Sequence, residues 1–362
     1  MPENGMVSFV IIAYNEAANI AQTISAILAL DDLGAHEVIV VDDGSRDRTA
    51  QIVKEIAAAS DTVRLVELGA NHGRGFARKT GIAEARGAYV ATVDADIILP
   101  ADWLARARAA MQDHDAVGGT PVPDGDVAYL YRKFRLTPRV VASTATVTGN
   151  NGLYRREVFQ VVGFDAELRE GEDVALNHAM RQHGLSAATI PGLLVRHQEN
   201  KSFRTSLRWL FESGAGATRQ LMAYREIRQP DLAAGAFVAA AALGTLAAAR
   251  GRRLAGAALP AGFVLAASAQ HVRSRFETPL AGWPRLAPAI AADCALLTAY
   301  FLGRLAGLKL LPSGAPGHRL RAGRRGVRAG RQDSPHRGLG IDLRHDSYRH
   351  GRRRSGNRVR TC

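Results

Sequence analysis

The sequence predicts an α/β fold with a mainly parallel sheet flanked by helices, followed by an Ala-rich helical region and an Arg/Gly-rich tail. Three observations lead there. Short apolar runs alternate with helical patterns four times in the first hundred residues, which calls for right-handed βαβ crossovers. The polar clusters Tyr14-Asn15-Glu16, Asp42-Asp43 and Asp94-Ala95-Asp96 each follow one of those runs, and parallel sheets gather ligands at the carboxyl ends of their strands. After about Arg228 the composition turns to alanine.

Val7 to Ala13 is a β-branched apolar run of the length of a buried strand. Asn15-Glu16 then opens a helical pattern with Ile20, Ile24, Ile27 and Leu28 on one stripe. Glu37 to Val41 reads as the second strand, and Asp47 to Ser60 as a helix with Ile52, Val53 and Ile56 inward. Val63 to Leu68 is the third strand, followed by a glycine-rich turn and a helix through about Ala85; Ala88 to Val93 is the fourth. Within the glycine-rich helix, Arg78 and Lys79 read as solvated charges. Asp42 reads as a turn residue, and Asp47 as a helix N-terminal residue favoured by capping and the helix dipole.

Leu232 to Ala249 and Leu254 to Ala269 are uncharged for 18 and 16 residues, the second interrupted by Pro260. A third apolar stretch, Leu286 to Leu308, contains Asp293 and Arg304. A spanning helix needs ~20 apolar residues, so these segments predict membrane association of open depth, with a soluble Ala-rich helical domain as the alternative. The basic connection Arg250-Gly251-Arg252-Arg253 would sit outside in a full hairpin with a cytosolic catalytic part, against the positive-inside tendency. A shallow hairpin or helices lying on the membrane avoid that conflict. The expected division is therefore 1–228 for the α/β domain, 229–311 for the helical region and 312–362 for a disordered tail.

The formal net charge of +13 invites a nucleic-acid partner, but its distribution speaks against one. Residues 312–362 hold 14 Arg, no Lys and 3 Asp, a net of +11, which leaves +2 on the remaining 311 residues. The tail suits anionic lipid, RNA or no partner at all. Two cysteines, Cys294 and Cys362, form neither a disulfide framework nor zinc spacing, which suits a reducing compartment, and the N-terminus has no basic n-region of a secretory signal.

Asp94 and Asp96, spaced i, i+2 at a strand end, are expected to project to the same face, because side-chain direction alternates with period two. Such carboxylates suit Mg²⁺ or Mn²⁺ with substrate phosphates completing the shell; taken alone, a pair of solvated turn aspartates is the better reading. Their company narrows the choice. In order, the chain carries Ile11-Ile12-Ala13-Tyr14-Asn15-Glu16, Val40-Val41-Asp42-Asp43-Gly44-Ser45, Asn71-His72-Gly73-Arg74-Gly75, Asp94-Ala95-Asp96, Tyr154-Arg155-Arg156-Glu157-Val158-Phe159 and Gly171-Glu172-Asp173. On these motifs, residues 7 to about 205 resemble a family 2 glycosyltransferase with the GT-A fold, of the type that assembles exopolysaccharides such as succinoglycan.

The resemblance implies inverting transfer of a sugar from a nucleotide-diphosphate sugar to an acceptor hydroxyl on a lipid-linked or cell-envelope saccharide, at the cytoplasmic face of the membrane. It implies a divalent cation, Mg²⁺ or Mn²⁺, on Asp96 with Asp94 sharing the metal or near the ribose, and His197 completing the coordination or serving only structure. Asp43 matches the aspartate that meets the nucleobase, and Ala13, Tyr14 and Glu16 line the nucleotide pocket. Gly73-Arg74-Gly75 resembles a flexible loop over the nucleotide, with Arg74 meeting phosphate or base and Gly75 beside it. Asp173 is the expected catalytic base, and Glu172 is expected to point elsewhere. Trp209 resembles an acceptor-side position of processive relatives, but the glutamine of their motif is absent, which argues against a polymerase. Residues 118–150 are expected on the acceptor side.

Other classes fit less well. A polyprenyl-phosphate glycosyltransferase shares the donor but uses an acceptor that is already an anion, so a base is less needed. A dinucleotide-dependent oxidoreductase would want GxGxxG after the first strand, whereas Gly73-x-Gly75-x-x-Arg78 follows the third and lacks one glycine. A non-catalytic nucleotide-sugar-binding membrane protein, or an RNA-binding protein carried by the tail, would not require the full acidic set.

Overall fold

A computed structural model of the chain describes residues 5–123, 137–138, 145–168, 171–198, 202–225, 227, 229–277 and 283–309. The tail, Glu170 and residues 124–136 and 139–144 of the expected acceptor-side segment lie outside the described residues. The four expected strands form, as β1 (Val7–Ala13), β2 (His36–Asp42), β3 (Val63–Glu67) and β4 (Tyr89–Asp94). Three helices connect them, α1 (Ile20–Leu28), α2 (Thr49–Ala58) and α3 (Arg74–Glu84). Next come β5 (Ile97–Ile98), α4 (Trp103–Ala110), β6 (Ala116–Pro123), β7 (Thr137–Pro138), β8 (Asn151–Arg155), α5 (Val158–Val161), α6 (Glu172–Gln182) and β9 (Ala187–His197). Four long helices and a short strand follow: α7 (Phe203–Tyr224), α8 (Gln229–Ala249), α9 (Arg253–Arg275), β10 (Phe276–Glu277) and α10 (Trp283–Lys309).

The main sheet runs β3-β2-β1-β4-β8-β6-β9-β5. Its first four strands are parallel, β8 is antiparallel to both β4 and β6, β6 and β9 are parallel, and β5 is antiparallel to β9. The sheet is thus parallel over the half read from periodicity and mixed beyond it. All seven residues of β1 are buried, because helices cover both faces. Val7, Phe9, Ile11 and Ala13 join a core with Ile20, Ile24, Val53 and Trp103 on one side. Val10 and Ile12 alternate to the other side, against Ala77 of α3, Ile39 and Val41. Each such aliphatic side chain contributes about 1.5–3 kcal/mol by leaving water.

The first helix begins later than its pattern suggests. The amides of Asn15, Glu16 and Ala17 donate to Ser45 Oγ, Thr49 Oγ1 and Asp47 Oδ2 at 2.9, 2.8 and 3.1 Å. Side chains of the β2–α2 connection therefore take amides that a longer helix would leave unpaired at its start. Asp47 also accepts from the Thr49 amide, and Asp42 Oδ2 from Ser45 N at 3.1 Å, so both aspartates hold this turn.

In the C-terminal helices, Asp231–Ala249 and Ala287–Leu308 are long and apolar enough to cross a membrane by length and composition. The segment containing Pro260 is not among these candidates, whereas the stretch with Asp293 and Arg304 is. Its charges are buried and partnered: Arg304 pairs with Asp231, while Asp293 accepts from Ser268 Oγ at 2.8 Å and lies 2.9 Å from His271 Nδ1. Satisfying charges inside the helical packing is what permits them in an apolar helix.

Helices α7 and α10 meet backbone to backbone. A Cβ on Gly303 would stand 1.9 Å from Phe211 O, and one on Gly214 2.1 Å from Tyr300 O. Gly303→Ala is expected to force the helices apart at a cost of about 1–3 kcal/mol, seen as a lower melting temperature of the full chain. An unchanged melting temperature would show that the helices do not approach this closely.

Candidate active site

Strand register assembles the site. Ala13 pairs with Asp42, and Ile12 with Asp94, so three strand ends lie side by side. Above them opens a cavity of about 620 Å³, lined by Ala13, Tyr14, Glu16, Asp43, Asn71, Gly73, Arg74, Asp94, Asp96, Arg208 and Glu212 among others. Most of the expected donor-side residues are thereby brought together. Arg208 and Glu212 are additions from α7, far along the chain, joined to each other at 2.9 Å.

Asp94 and Asp96 do not share one continuous strand. The chain turns after Asp94, and Ile97 pairs with His197 on β9. That pairing sets His197 Nε2 3.0 Å from Asp96 Oδ2, while Gln198 N donates to Asp96 O at 2.8 Å. Asp43 Oδ1 and Oδ2 accept from the amides of His72 and Gly73 at 2.7 and 2.9 Å. It thus fastens the 71–73 turn to the end of β2 as well as facing the cavity.

Glu16 joins this acidic edge. Its Oε2 accepts from Asn19 Nδ2 at 2.8 Å, yet its carboxyl is pushed up to about 7, first by burial and then by Asp96, Asp94 and Asp47. A carboxyl raised in this way destabilises the fold above its ordinary value of 4.5, with the full effect above pH 7 and none at lower pH than 4.5. Glu16→Gln is expected to gain about 1–2 kcal/mol over the parent above pH 7 in metal-free solution, after allowance for partial exposure. Below the ordinary carboxylate range the gain vanishes. Melting temperature against pH checks it, and a pH-independent difference would contradict the cause.

Two expectations are corrected. Arg78 is no solvated charge: it is 2% exposed, pairs with both Asp94 and Glu172, and lies over the Phe164 ring with 5.4 Å to its centroid. It occupies the inward stripe of α3 with Gly75 and Gly81, spaced by three. A cation on such a stripe signals a buried ion pair, and that was the available clue. Second, Arg74 and Gly75 form the first turn of α3 and not a loop. Gly75 faces away from the cavity. Its amide donates to Leu168 O at 3.1 Å, and a Cβ there would stand 2.0 Å from Asp165 O.

Glu172 points to Arg78, as expected of a residue aimed away from its neighbour. Burial holds its carboxyl above the ordinary range, with Arg78 opposing. Asp173 heads the other way, into a second cavity of about 330 Å³ shared with Arg74, Trp209, Gln220 and Tyr300. Its Oδ2 accepts from Gly149 N at 3.3 Å, and its place in the first turn of α6 puts a carboxylate where the helix dipole favours one. Since Arg74 lines both cavities, they adjoin.

The family model described as Glycosyl transferase family 2 matches residues 8–163. The chain carries a family 2 glycosyltransferase domain. Curated relatives of this glycosyltransferase domain include the succinoglycan biosynthesis protein ExoO of Rhizobium meliloti, 34% identical over 190 residues, 47% of this chain and 54% of that protein. Another is glycosyltransferase AglE of Haloferax volcanii, 29% identical, covering 58% of this chain and 72% of that protein. An undecaprenyl-phosphate 4-deoxy-4-formamido-L-arabinose transferase of Pseudomonas aeruginosa is 31% identical, covering 52% and 62%. The chain thus spans about half to three quarters of the length of these relatives. The fold is GT-A. Over 83% of this chain and 87% of the other it resembles the mannosyltransferase PcManGT from Pyrobaculum calidifontis in complex with GDP-Man and Mn²⁺, with a TM-score of 0.53 and 23% identity.

Among the described residues, no group of three or more His, Cys, Asp or Glu is placed to hold a metal ion unaided. The donor set still suits a hard divalent cation. Asp94 and Asp96 face one cavity closely enough to raise Glu16, and His197 adjoins Asp96. Mg²⁺ characteristically takes one or two protein carboxylates and draws its remaining ligands from phosphate and water.

Proposed function

We propose that the protein is an inverting glycosyltransferase that moves a sugar from a nucleotide-diphosphate donor to an acceptor hydroxyl on a lipid-linked or cell-envelope saccharide, at the cytoplasmic face of a membrane. One observation carries the reading: the acidic cavity at the strand ends adjoins a second cavity holding Asp173, with Arg74 in the wall of both. The nucleotide lies in the first, against Ala13, Tyr14, Glu16, Asp43 and Arg74. Asp96 with Asp94 and His197 would hold a divalent cation, which when bound stabilises the charge of the departing diphosphate. Asp173 takes the proton of the attacking hydroxyl from the acceptor side. A base placed apart from the diphosphate suits single displacement with inversion. The apolar helices α8 and α10 support membrane association, and the relative named for succinoglycan biosynthesis supports a saccharide acceptor.

A panel of nucleotide sugars with Mn²⁺ or Mg²⁺, read for binding and slow donor hydrolysis, tests the reading. Cation-dependent binding of at least one donor is expected. Binding of none, or tight binding of a nicotinamide dinucleotide instead, would overturn it. The polyprenyl-phosphate alternative draws support from the undecaprenyl-phosphate transferases among the relatives. It would show as transfer to a polyprenyl phosphate that survives Asp173→Asn, because that acceptor carries no proton to remove.

A further inference from the structure

We infer that Arg78 is a positioning residue that holds the Asp94 carboxylate and the Glu172-Asp173 pair at one fixed spacing, so that the two cavities act as a single site. The inference rests on the transferase reading and extends it to a side chain that lines neither cavity. The two terminal nitrogens of Arg78 reach in different directions, Nη2 to Asp94 Oδ1 at the end of β4 and Nη1 to Glu172 Oε1 at the start of α6. The face of the guanidinium rests over Phe164. Gly149 closes the remaining side: a Cβ there would come within 3.1 Å of the guanidinium carbon and 3.2 Å of Asp173 Cβ.

A second, backbone connection runs beside the first. Gly149 N donates to Asp173 Oδ2 at 3.3 Å, and the next residue, Asn150, accepts from Asp94 N at 3.1 Å. The donor-side and base-side aspartates are therefore tied twice, through a buried cation and through a short stretch of chain. Gathering Asp94, Glu172 and Asp173 in a partly dry region is unfavourable unless the charge is compensated. A forked, planar guanidinium can satisfy two carboxylates lying in different directions, which the point charge of a lysine on a flexible stem cannot do with fixed geometry. Burial works against the Arg78 charge, but Asp94, Glu172 and Asp173 outweigh it and hold the side chain ionised. Because Glu172 and Asp173 are adjacent in the first turn of α6, anchoring one orients the other.

The test uses the full chain with Arg78→Lys, Arg78→Met, Glu172→Gln and the double variant Arg78→Met/Glu172→Gln. In Arg78→Lys, kcat is expected to fall by about 10²-fold, the penalty of a reacting group misplaced by roughly an ångström, with donor KM and melting temperature little changed. The double variant should be no slower than Arg78→Met alone, since both changes cut the same tie. Hydrogen exchange supplies a readout independent of transfer: Arg78→Met and Glu172→Gln should each speed exchange at residues 94–97 and 171–175 together. Parental kcat in Arg78→Lys, or faster exchange at only one of the two segments, would overturn the inference. If Arg78→Met does not fold, Glu172→Gln alone must loosen residues 94–97 across the tie. If the parent transfers no sugar from any donor, the transferase reading fails by itself, and the exchange pattern still decides whether Arg78 joins the two sides.

Discussion

Asp173→Asn is expected to lower the rate of sugar transfer to a hydroxyl acceptor by about 10²–10⁴-fold, the range general-base catalysis supplies, while nucleotide-sugar affinity stays near that of the parent. The asparagine keeps the shape of the side chain and its hydrogen bond from Gly149 N, but it cannot accept the proton of the attacking hydroxyl. Donor binding survives because Asp173 lines the second cavity and is absent from the lining of the first. Single-turnover kinetics with a saturating donor, beside an equilibrium titration of that donor, separate the two effects. Full turnover in the variant would remove Asp173 from the chemistry. A parallel loss of donor affinity would move its role to binding.

Asp96→Asn should have the second large effect, on the donor side. Removing one carboxylate from a cation site withdraws several kcal/mol of charge stabilisation, about 10²–10³-fold in rate. Cation-dependent donor binding should weaken with it, and metal-independent nucleoside binding should persist through Asp43 and Tyr14. His197→Ala should follow in the same direction with a smaller loss, about 10–100-fold in metal affinity, because His197 sits 3.0 Å from Asp96, where it would orient that carboxylate and supplement it as a ligand. Calorimetric titration of Mn²⁺ into the protein with nucleoside diphosphate reads both variants. Unaltered Mn²⁺ affinity in both would dismiss a metal at this place and leave the Asp96–His197 contact a structural one.

The legible part of this protein was the part written in short-range patterns. The run Val7 to Ala13 is β1 residue for residue, and the other three parallel strands match to within one residue at each end. Their side chains point alternately to the two helix-covered faces, and most of the buried ones are apolar, with Glu37 and Asp42 of β2 as charged exceptions. The placement of Asp43, Asp94 and Asp96 around one cavity followed from the same logic, since parallel strands of similar length bring their ends together. The helix after β1 was misjudged in its start because its first amides are taken by Ser45, Asp47 and Thr49, about thirty residues on. No local pattern contains that information.

Arg78 shows the limit most clearly. Its neighbours in sequence, Lys79 and Thr80, are ordinary helix-surface residues, and only its place on the stripe of Gly75 and Gly81 sets it apart from them. Its partners Asp94 and Glu172 lie 16 and 94 residues away. Gly75 failed for the opposite reason: it stands in a binding-loop motif, yet the approach of Asp165 and Leu168 takes up the space a side chain would need. Likewise Arg208, Glu212 and Tyr300 reach the two cavities only because α7 runs along their walls and α10 packs against α7 through Gly214 and Gly303.

The sequence alone determined the strand–helix order of the first four strands, their ends to within one residue, the family resemblance and the confinement of the excess charge to the tail. These depend on periodicity and composition, which any window of the chain carries. The tertiary structure decided that the strands past β4 form a mixed sheet, that Arg78 is buried between two motifs, and that one helix walls both cavities. Those outcomes depend on which distant groups exclude water from one another, and burial is a property of the assembled chain.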